Sequence, residues 1–390
     1  RFRKPVPTDS WSQPLVADKW PNPCTQLPVW APFMQNKNFS EDCLYLNIWS
    51  PKGKVSSNRL KPVMFFIHGG GFIIGSSNEY HYNGEVLASK GDVIVVTFNY
   101  RLNGFGFLYT GTDAGPGNAG LWDQVLALEW VHKNILNFGG DPKQITVFGE
   151  SAGSITTSAI ILSPVTRNLF KNAIMMSGSA LGDTVGDASQ MSQYWLKQSK
   201  QMGCSDDRNP AKFTQKVINC LKTISADRLV NYTSGSLDFV AGNRLKIVSH
   251  IVVDGEFLPE NPLKMLKSKN FKKSLNLMIG NCEDEGSSLL ALVVDPKKFS
   301  PNNPPPITYT EAYDPTQILF SSLDETPAID GQEVSKLYFT GLSDKTPQGV
   351  LRRTIGKAFG DYTITCPTIL FAKSLFKKDY KTSRVFQYYF

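Results

Sequence analysis

The sequence predicts an α/β fold in which helices flank a mostly parallel central sheet. Two apolar strands, at residues 61–67 and 92–97, are followed by a helix at 121–136 and then by a third strand at 144–148. Strands that alternate with helices at this spacing are typical of a parallel sheet. The third strand carries apolar Ile145, Val147 and Phe148, which predicts a strand buried on both faces. We predict a single domain, residues 1–390.

The third strand leads into a sharp turn and a second helix. Residues 149–153 read Gly-Glu-Ser-Ala-Gly, the G-x-S-x-G pattern of a nucleophile elbow. Such a turn holds its serine, here Ser151, in a strained conformation with the hydroxyl clear of the sheet. Side chains at Gly149 and Gly153 would collide with neighbouring backbone. The pattern alone is common, so the prediction rests on the strand before it and the helix after it.

A triple-glycine loop follows the first strand, in the segment His68-Gly69-Gly70-Gly71-Phe72. In a serine hydrolase such a loop supplies oxyanion donors that complement the amide after the nucleophile, here Ala152. The alternatives are a flexible turn or a phosphate cradle. The segment lacks the Lys-Ser/Thr of a P-loop and the spacing of a dinucleotide fingerprint. The loop and the elbow therefore support the same chemistry.

The composition excludes several classes of function. The net charge of +7 comes from 41 basic and 34 acidic residues, a mild excess that predicts no nucleic-acid partner. The basic run at 264–273 is predicted to be a solvated helix face. No apolar run has the length of a membrane span. No metal-ligand spacing occurs, and the predicted chemistry needs no cofactor. A hydrophobic content of 41% predicts a full globular core.

The six cysteines suggest local loop closures. Cys24 and Cys43 flank one polar loop, and Cys204 and Cys220 flank another with a short helix. Closing either loop would contribute about 3 kcal/mol. Six cysteines allow many pairings, so buried free thiols remain an alternative.

Two sequons and both chain ends bear on localisation. Asn38 and Asn231 each begin an N-x-S/T sequon, which with paired cysteines predicts a secreted or ER-lumenal glycoprotein. The chain begins at Arg1 without a methionine or an apolar signal segment, and it ends within a predicted strand at 385–390. We therefore expect the natural chain to extend at both ends, with any signal peptide or anchor outside this sequence.

Five segments together resemble the carboxylesterase/cholinesterase family of α/β-hydrolases. They are Glu41-Asp42-Cys43-Leu44-Tyr45-Leu46-Asn47-Ile48, the HGGGF segment at 68–72, Asn99-Tyr100-Arg101, the segment GNAGLWDQ at 117–124, and FGESAG at 148–153. The resemblance implies the α/β-hydrolase fold. It also implies a secreted or ER-lumenal serine hydrolase that acts on carboxylic esters through an acyl-enzyme.

The resemblance assigns the catalytic groups. Ser151 matches the nucleophile, and the matching oxyanion donors are Gly70, Gly71 and Ala152. Glu285, in an Asp-Glu-Gly stretch after a strand, matches the acid, and Ser177 resembles the hydroxyl that helps to hold it. Without the family, the acidic stretch at 283–285 would be interpreted as a surface loop.

The resemblance also addresses the cysteines. Cys24–Cys43 and Cys204–Cys220 match the family's first two local disulfides. Cys366 resembles a cysteine that in some members pairs with a partner beyond the end of this chain. Cys282 has no obvious partner.

The catalytic histidine of the family has no counterpart here. The triad order in this fold is Ser, Glu, His, and no histidine follows Glu285. His68 belongs to the oxyanion loop, His132 lies in a predicted helix, and His81 and His250 lie in connections. We predict that the natural chain continues past 390 with a histidine in a Gly-x-x-His-like context. The fragment alone is expected to be inactive.

The resemblance gives a loose indication of the substrate. Cholinesterases stack a tryptophan on the quaternary ammonium group, and Phe33 falls near that place, with Trp30 out of register. Thr184, Leu245 and Ile247 fall where acetyl-selective members keep aromatic residues, which predicts a roomier acyl pocket. We therefore predict a general carboxylesterase rather than a choline esterase. The alternatives are a non-catalytic, neuroligin-like adhesion protein and a slow-turnover, sequestering esterase.

Overall fold

A computed structural model describes residues 1–51, 60–182, 184–233, 237–240, 244–247, 251–295, 297–323 and 327–390. For residues 30, 237–240, 244–247, 292 and 293 it describes the backbone alone. His250 and the side chains of Leu245, Ile247 and Trp30 therefore lie outside the described residues.

The strands are β1 (Leu46–Trp49), β2 (Lys61–Ile67), β3 (Ile94–Phe98), β4 (Tyr109–Thr112), β5 (Gly115–Pro116), β6 (Gly140–Glu150), β7 (Asn172–Met176), β8 (Val185–Gly186), β9 (Leu237–Val240), β10 (Arg244–Ile247), β11 (Ile251–Val252), β12 (Asn276–Asn281) and β13 (Arg384–Tyr389). Seven of them form the central sheet, in the order β1-β3-β2-β6-β7-β12-β13. Only the β1–β3 pair within this sheet is antiparallel. The predicted, mostly parallel sheet is confirmed.

The helices are α1 (Glu85–Gly91), α2 (Asn103–Phe107), α3 (Ala119–Asn134), α4 (Ala152–Leu162), α5 (Ala188–Gln201), α6 (Gln215–Thr223), α7 (Ala226–Thr233), α8 (Pro262–Lys267), α9 (Gly286–Val293), α10 (Tyr309–Ser322), α11 (Gly331–Tyr338), α12 (Gln348–Gly360) and α13 (Cys366–Asp379). Within the described ranges, none of these helices combines the length and apolar character needed to cross a membrane.

The central strands are buried because their apolar side chains face helices. All five residues of β3 are buried. Strand β6 alternates instead, with Ile145 and Val147 fully buried and Phe148 only half-buried. Phe148 lies on the other face of the sheet, where its ring centroid is 5.0 Å from that of Phe66. The prediction that this strand is buried on both faces therefore holds for one face only.

Local backbone conformations explain where the predicted elements shift. Asp92 ends α1 in the left-handed region, with φ 51°, so β3 begins at Ile94 instead of residue 92. Asn118, with φ 54°, precedes α3 and fixes its start at Ala119. The basic run at 264–273 is not one helix face, because α8 ends at Lys267.

Two sequence motifs act as braces between elements. The Arg101 guanidinium donates two hydrogen bonds to the Asp123 carboxylate, Nε to Oδ2 at 2.8 Å and Nη2 to Oδ1 at 2.6 Å. The Asn118 side chain donates to the Val252 carbonyl at 2.8 Å and accepts from the Val252 amide at 2.9 Å. These contacts join the loop after β3 to α3, and the start of α3 to β11.

Both predicted local disulfides are confirmed. Cys24 is bonded to Cys43 across a separation of 19 residues, and Cys204 to Cys220 across 16. Cys282 and Cys366 are free and exposed.

Candidate active site

Ser151 stands at the tip of β6, at the turn into α4. Its backbone has φ 55° and ψ −121°, a combination that costs free energy for a residue with a side chain. A Cβ on Gly153 would lie 2.0 Å from the Ile67 carbonyl oxygen, and one on Gly149 would lie 2.4 Å from the Gly153 carbonyl group. Only glycine fits on either side of the serine, because backbone occupies the space.

Hydrogen bonds fix the backbone of the nucleophile from two sides. The Ser151 amide donates to the Met176 carbonyl at the end of β7, at 2.8 Å, and the Ser151 carbonyl accepts from the Ile155 amide at 2.9 Å. The Ser154 hydroxyl donates to the Gly178 carbonyl at 2.6 Å. The loop after β7 and the first turn of α4 thus hold the elbow together.

The glycine-rich loop packs against Ser151. A Cβ on Gly69 would lie 3.1 Å from the Ser151 Cβ. Gly70 and Gly71 have φ values of 102° and 62°, and a Cβ on Gly70 would lie 2.1 Å from the Ile74 carbonyl oxygen. The amides of the next turn donate to the Gly70 carbonyl, which closes the loop tightly.

Three amides of the glycine-rich loop and the elbow have N–H groups without a protein acceptor in the described part of the chain. Among the described residues, the N–H groups of Gly70, Gly71 and Ala152 donate to no protein acceptor. Ala152 is fully buried and is the first residue of α4, where the helix dipole favours negative charge. The arrangement can stabilise an oxyanion that forms next to Ser151.

His68 supports the glycine-rich loop through its ring and its carbonyl group. Its ring nitrogen Nδ1 lies 2.8 Å from the Gly69 carbonyl oxygen, and its ring stacks on Tyr100 with a centroid distance of 4.4 Å. The Tyr100 hydroxyl donates to the His68 carbonyl at 2.9 Å. Burial lowers the pKa of His68 to about 4, so the imidazole is neutral at pH 7.

Glu285 lies at the same edge of the sheet as Ser151. Strands β6, β7 and β12 are parallel neighbours, and Ser151, Ser177 and Glu285 follow their carboxyl ends. The Cys282 amide donates to Glu285 Oε1 at 2.6 Å. A Cβ on Gly286 would lie 1.8 Å from the Gly356 carbonyl oxygen, so α9 contacts α12 directly behind the carboxylate.

Ser177 reaches Glu285 through Cys282. The Ser177 backbone has φ 63°, and its amide donates to the Gly280 carbonyl at 2.9 Å. Its hydroxyl hydrogen-bonds to the Cys282 thiol. Burial and the nearby charge of Glu285 raise the pKa of that thiol. The thiol is therefore protonated at neutral pH.

Glu150 is a site residue that sequence reasoning missed. Glu150 is the last residue of β6 and is exposed. Its carboxylate lies close to the glycine-rich loop, since a Cβ on Gly69 would lie 2.5 Å from Glu150 Oε2. Desolvation of the carboxylate, then repulsion by Glu285 and Glu79, raises the pKa of Glu150 to about 7. An acidic residue between a buried strand and the elbow serine was the available signal.

The described histidines other than His68 lie away from a triad geometry. His81 is half-exposed, and its Nε2 pairs with the buried Glu79 at 2.8 Å. His132 belongs to α3. Among the described residues, no imidazole hydrogen-bonds to Ser151 or Glu285.

The predicted acyl pocket is only partly described. Thr184 is half-buried, and its hydroxyl has no hydrogen-bond partner within the described ranges. Leu245 and Ile247 belong to β10, which pairs with β9, but their side chains lie outside the described residues. Phe33 ends a short 3₁₀ helix and is exposed, with its ring centroid 6.2 Å from that of His81.

The fold and the elbow define an α/β-hydrolase with a serine at the nucleophile position. A profile of the carboxylesterase family matches residues 1–390. The chain belongs to the carboxylesterase family.

Relatives of known name support this membership. The chain is 34% identical over 386 residues to acetylcholinesterase-1 of Trittame loki, covering 95% of this chain and 66% of that protein. It is 35% identical over 387 residues to the cholinesterase of Mus musculus, covering 96% of this chain and 61% of that protein. Cholinesterase 1 of Branchiostoma lanceolatum is 41% identical over 250 residues, covering 64% of this chain and 68% of that protein. The chain thus spans less than two thirds of the first two relatives.

Proposed function

We propose that this chain is the major part of a serine hydrolase of carboxylic esters that works through an acyl-enzyme. The observation that carries the proposal is the strained Ser151, packed against Gly69 and flanked by three amides without protein acceptors. A strained residue beside unpaired hydrogen-bond donors is typical of an active site whose reaction uses both.

The reaction proceeds in two acyl transfers. The Ser151 hydroxyl oxygen attacks the ester carbonyl carbon while its proton passes to a histidine base. The oxyanion forms next to the amides of Gly70, Gly71 and Ala152. The C–O bond to the alcohol then breaks, and the alcohol leaves with the proton from the histidine. Water repeats the sequence on the acyl-enzyme and releases the acid, while Glu285 orients the histidine.

We propose that the base lies on a segment after β13 in a longer protein. β13 pairs in parallel with β12, which precedes Glu285. The Phe390 amide donates to the Asn281 carbonyl at 3.0 Å, and the Phe390 carbonyl accepts from the Glu283 amide at 2.8 Å. A segment that follows Phe390 would therefore start beside the acid. This proposal is tested by the downstream sequence: a chain without a histidine there would contradict it.

The substrate we propose is a general carboxylic ester. Thr184 supports a roomier acyl side, and Phe33 offers a smaller aromatic face than a tryptophan. The second candidate is a choline ester, which is favoured by the relatives named as cholinesterases. Rates on acetyl, butyryl and longer p-nitrophenyl esters, beside the matching choline esters, distinguish the two. Strict acetyl preference would refute the general carboxylesterase.

A fluorophosphonate probe tests whether the serine is reactive. We expect the longer protein to be labelled, and Ser151→Ala to lose the label, with Ser189→Ala, at an exposed serine of α5, as the control that keeps it. A neuroligin-like adhesion protein predicts no labelling. A sequestering esterase predicts labelling with poor turnover of ester.

We also propose passage through the secretory pathway. The two disulfides indicate an oxidising compartment, and the sequon residues Asn38 and Asn231 are both exposed. Endoglycosidase treatment of protein from a eukaryotic host should lower its mass in two steps. Asn38→Gln and Asn231→Gln should each remove one step, and a mass unchanged by the enzyme would contradict the proposal.

A further inference from the structure

A cluster of lysines surrounds a cavity at the amino-terminal ends of the central strands, opposite the carboxyl-terminal ends where Ser151 lies. The cavity has a volume of about 310 Å³. We call it the basic pocket and define it by the four lysines that line it: Lys143, Lys171, Lys272 and Lys273. The other lining groups that matter are the ring of Phe170 and the side chains of His132 and Asn168.

The lysines follow the amino-terminal edge of the sheet. Lys143 lies near the start of β6, Lys171 directly precedes β7, and Lys273 lies three positions before the first residue of β12. These three strands are parallel neighbours. Because adjacent strands are about 4.8 Å apart, the three lysines begin from a row roughly 10 Å wide. A row of this kind matches repeated anionic groups along a chain better than a single ion.

Two carboxylates near the pocket, those of Asp141 and Asp379, hydrogen-bond to other groups, and their charges also attract pocket lysines. Asp141 accepts from the Lys143 backbone amide at 2.8 Å and from Gln144 Nε2 at 2.9 Å. Asp379 accepts from the Thr382 hydroxyl at 2.8 Å and from Ser383. Within the part of the chain that the structure describes, none of the four lysine amines of the pocket forms an ion pair. The four lysine amines outnumber these two carboxylates, so the pocket keeps a net positive charge.

The innermost lysine is held in place by the fold. Lys272 is half-buried, and its Nζ donates to the Arg167 carbonyl at 2.6 Å and lies 4.9 Å from the Phe170 ring centroid. Burial lowers the pKa of this amine. Its neighbour Lys273 sits with Nζ 3.5 Å from the Phe271 ring centroid. Burial of a charged amine is unfavourable, and an anion bound in the pocket would offset that cost.

We propose that the basic pocket binds the sulfate groups of a sulfated polysaccharide chain. The disulfides Cys24–Cys43 and Cys204–Cys220 indicate an oxidising, secretory setting, in which a polyanion of this class is available and nucleic acid is scarce. Amine side chains act on sulfate as point charges, and release of counterions from the polyanion drives the association. This inference does not depend on esterase activity.

The same basic run contains a matched control. Lys264 and Lys267 are exposed on α8, and neither lines the cavity. Replacing them changes the net charge by the same amount as replacing Lys272 and Lys273. A difference between the two pairs therefore reports the pocket and not the overall charge.

The test is binding of heparin, a sulfated polysaccharide, by the whole 390-residue chain at about 0.1 M salt. We expect Lys272→Gln/Lys273→Gln to raise the dissociation constant for heparin by about tenfold or more. Lys264→Gln/Lys267→Gln should raise it by less than about twofold. Lys143→Gln/Lys171→Gln, at two exposed positions, should weaken it comparably. This second variant decides the matter if the first one fails to fold.

Four outcomes would overturn the proposal. One is the absence of heparin binding by the wild-type chain. Another is an equal loss in the pocket and α8 variants, which would mean unspecific attraction. Displacement of heparin by inorganic sulfate at equal sulfate concentration would reduce the pocket to a site for single anions. Tighter binding of single-stranded DNA than of heparin at matched charge would assign the pocket to nucleic acid.

Discussion

The two sides of the candidate active site are built differently. On one side, the glycine-rich loop and the elbow fix Ser151 through backbone contacts that leave no room for one added carbon at Gly70, Gly149 or Gly153. On the other side, Glu285 receives one backbone hydrogen bond, from Cys282, whose thiol links it to Ser177. The nucleophile is thus fixed by backbone sterics, whereas the acid is placed by side chains and helix packing. We expect the first side to fail by unfolding and the second by losing rate.

Breaking the nucleophile side should have the largest effect. Gly153→Ala puts a methyl group 2.0 Å from the Ile67 carbonyl oxygen in the core of the sheet, and neither backbone segment can move freely. We expect a loss of more than about 4 kcal/mol in the free energy of unfolding, measured by urea denaturation. The control is Gly349→Ala, since a Cβ there meets nothing within 4 Å. Equal stability of the two variants would show that the elbow is not tightly packed.

Breaking the acid side should affect rate instead. Glu285→Gln keeps the shape of the side chain and removes the charge that we propose stabilises the imidazolium. In the longer protein, we expect ester turnover and fluorophosphonate labelling to fall by about 10²–10³-fold. The melting temperature should change little. Glu283→Gln, at an exposed neighbour in the same acidic stretch, is the control and should keep its rate. A normal rate in Glu285→Gln would remove this residue from the mechanism.

The two disulfides should differ in how much they stabilise the fold. Their loops have separations of 19 and 16 residues, so the chain-entropy contribution of each is about 3 kcal/mol. Cys24 and Cys43 are both buried, whereas Cys220 is half-buried. Replacing Cys24 and Cys43 by serine should therefore lower the free energy of unfolding more than replacing Cys204 and Cys220. Guanidinium unfolding of both double variants measures the difference, and the reverse order would contradict it.

Glu150 should have the smallest effect, and one that depends on pH. Its pKa is raised in the folded state to about 7, above the usual value near 4.5. Between these two values the folded protein binds more protons than the unfolded chain, so stability falls as pH rises through this window and levels off above it. Because Glu150 is exposed at the carboxyl end of β6, we expect this loss of stability to be at most about 1 kcal/mol.

Replacing this carboxylate isolates its contribution. Glu150→Gln should raise the melting temperature relative to the wild type at pH 8 and change it little at about pH 3, where the carboxyl is protonated in both states. The same gain at both pH values would assign the effect to packing rather than to charge. Glu129→Gln, on α3, provides a control for overall charge.

The sequence alone determined the nucleophile side. Strand, glycine pattern and helix are contiguous around Ser151, and the conformation that they need excludes a Cβ at particular positions, so residue types reveal the geometry. The same local logic located β2, whose bounds agree with the prediction, and the two short disulfide loops.

Only the tertiary structure decided which distant groups meet. The pKa of Glu150 is raised by desolvation, and then by the charges of Glu285 and Glu79, which lie far away in sequence. The basic run at 264–273 is divided between an exposed helix and a pocket. Lys272 and Lys273 follow the end of α8 and join Lys143, near the start of β6, and Lys171, directly before β7. Charge and desolvation depend on distances across the sheet, and the packing of parallel strands sets those distances.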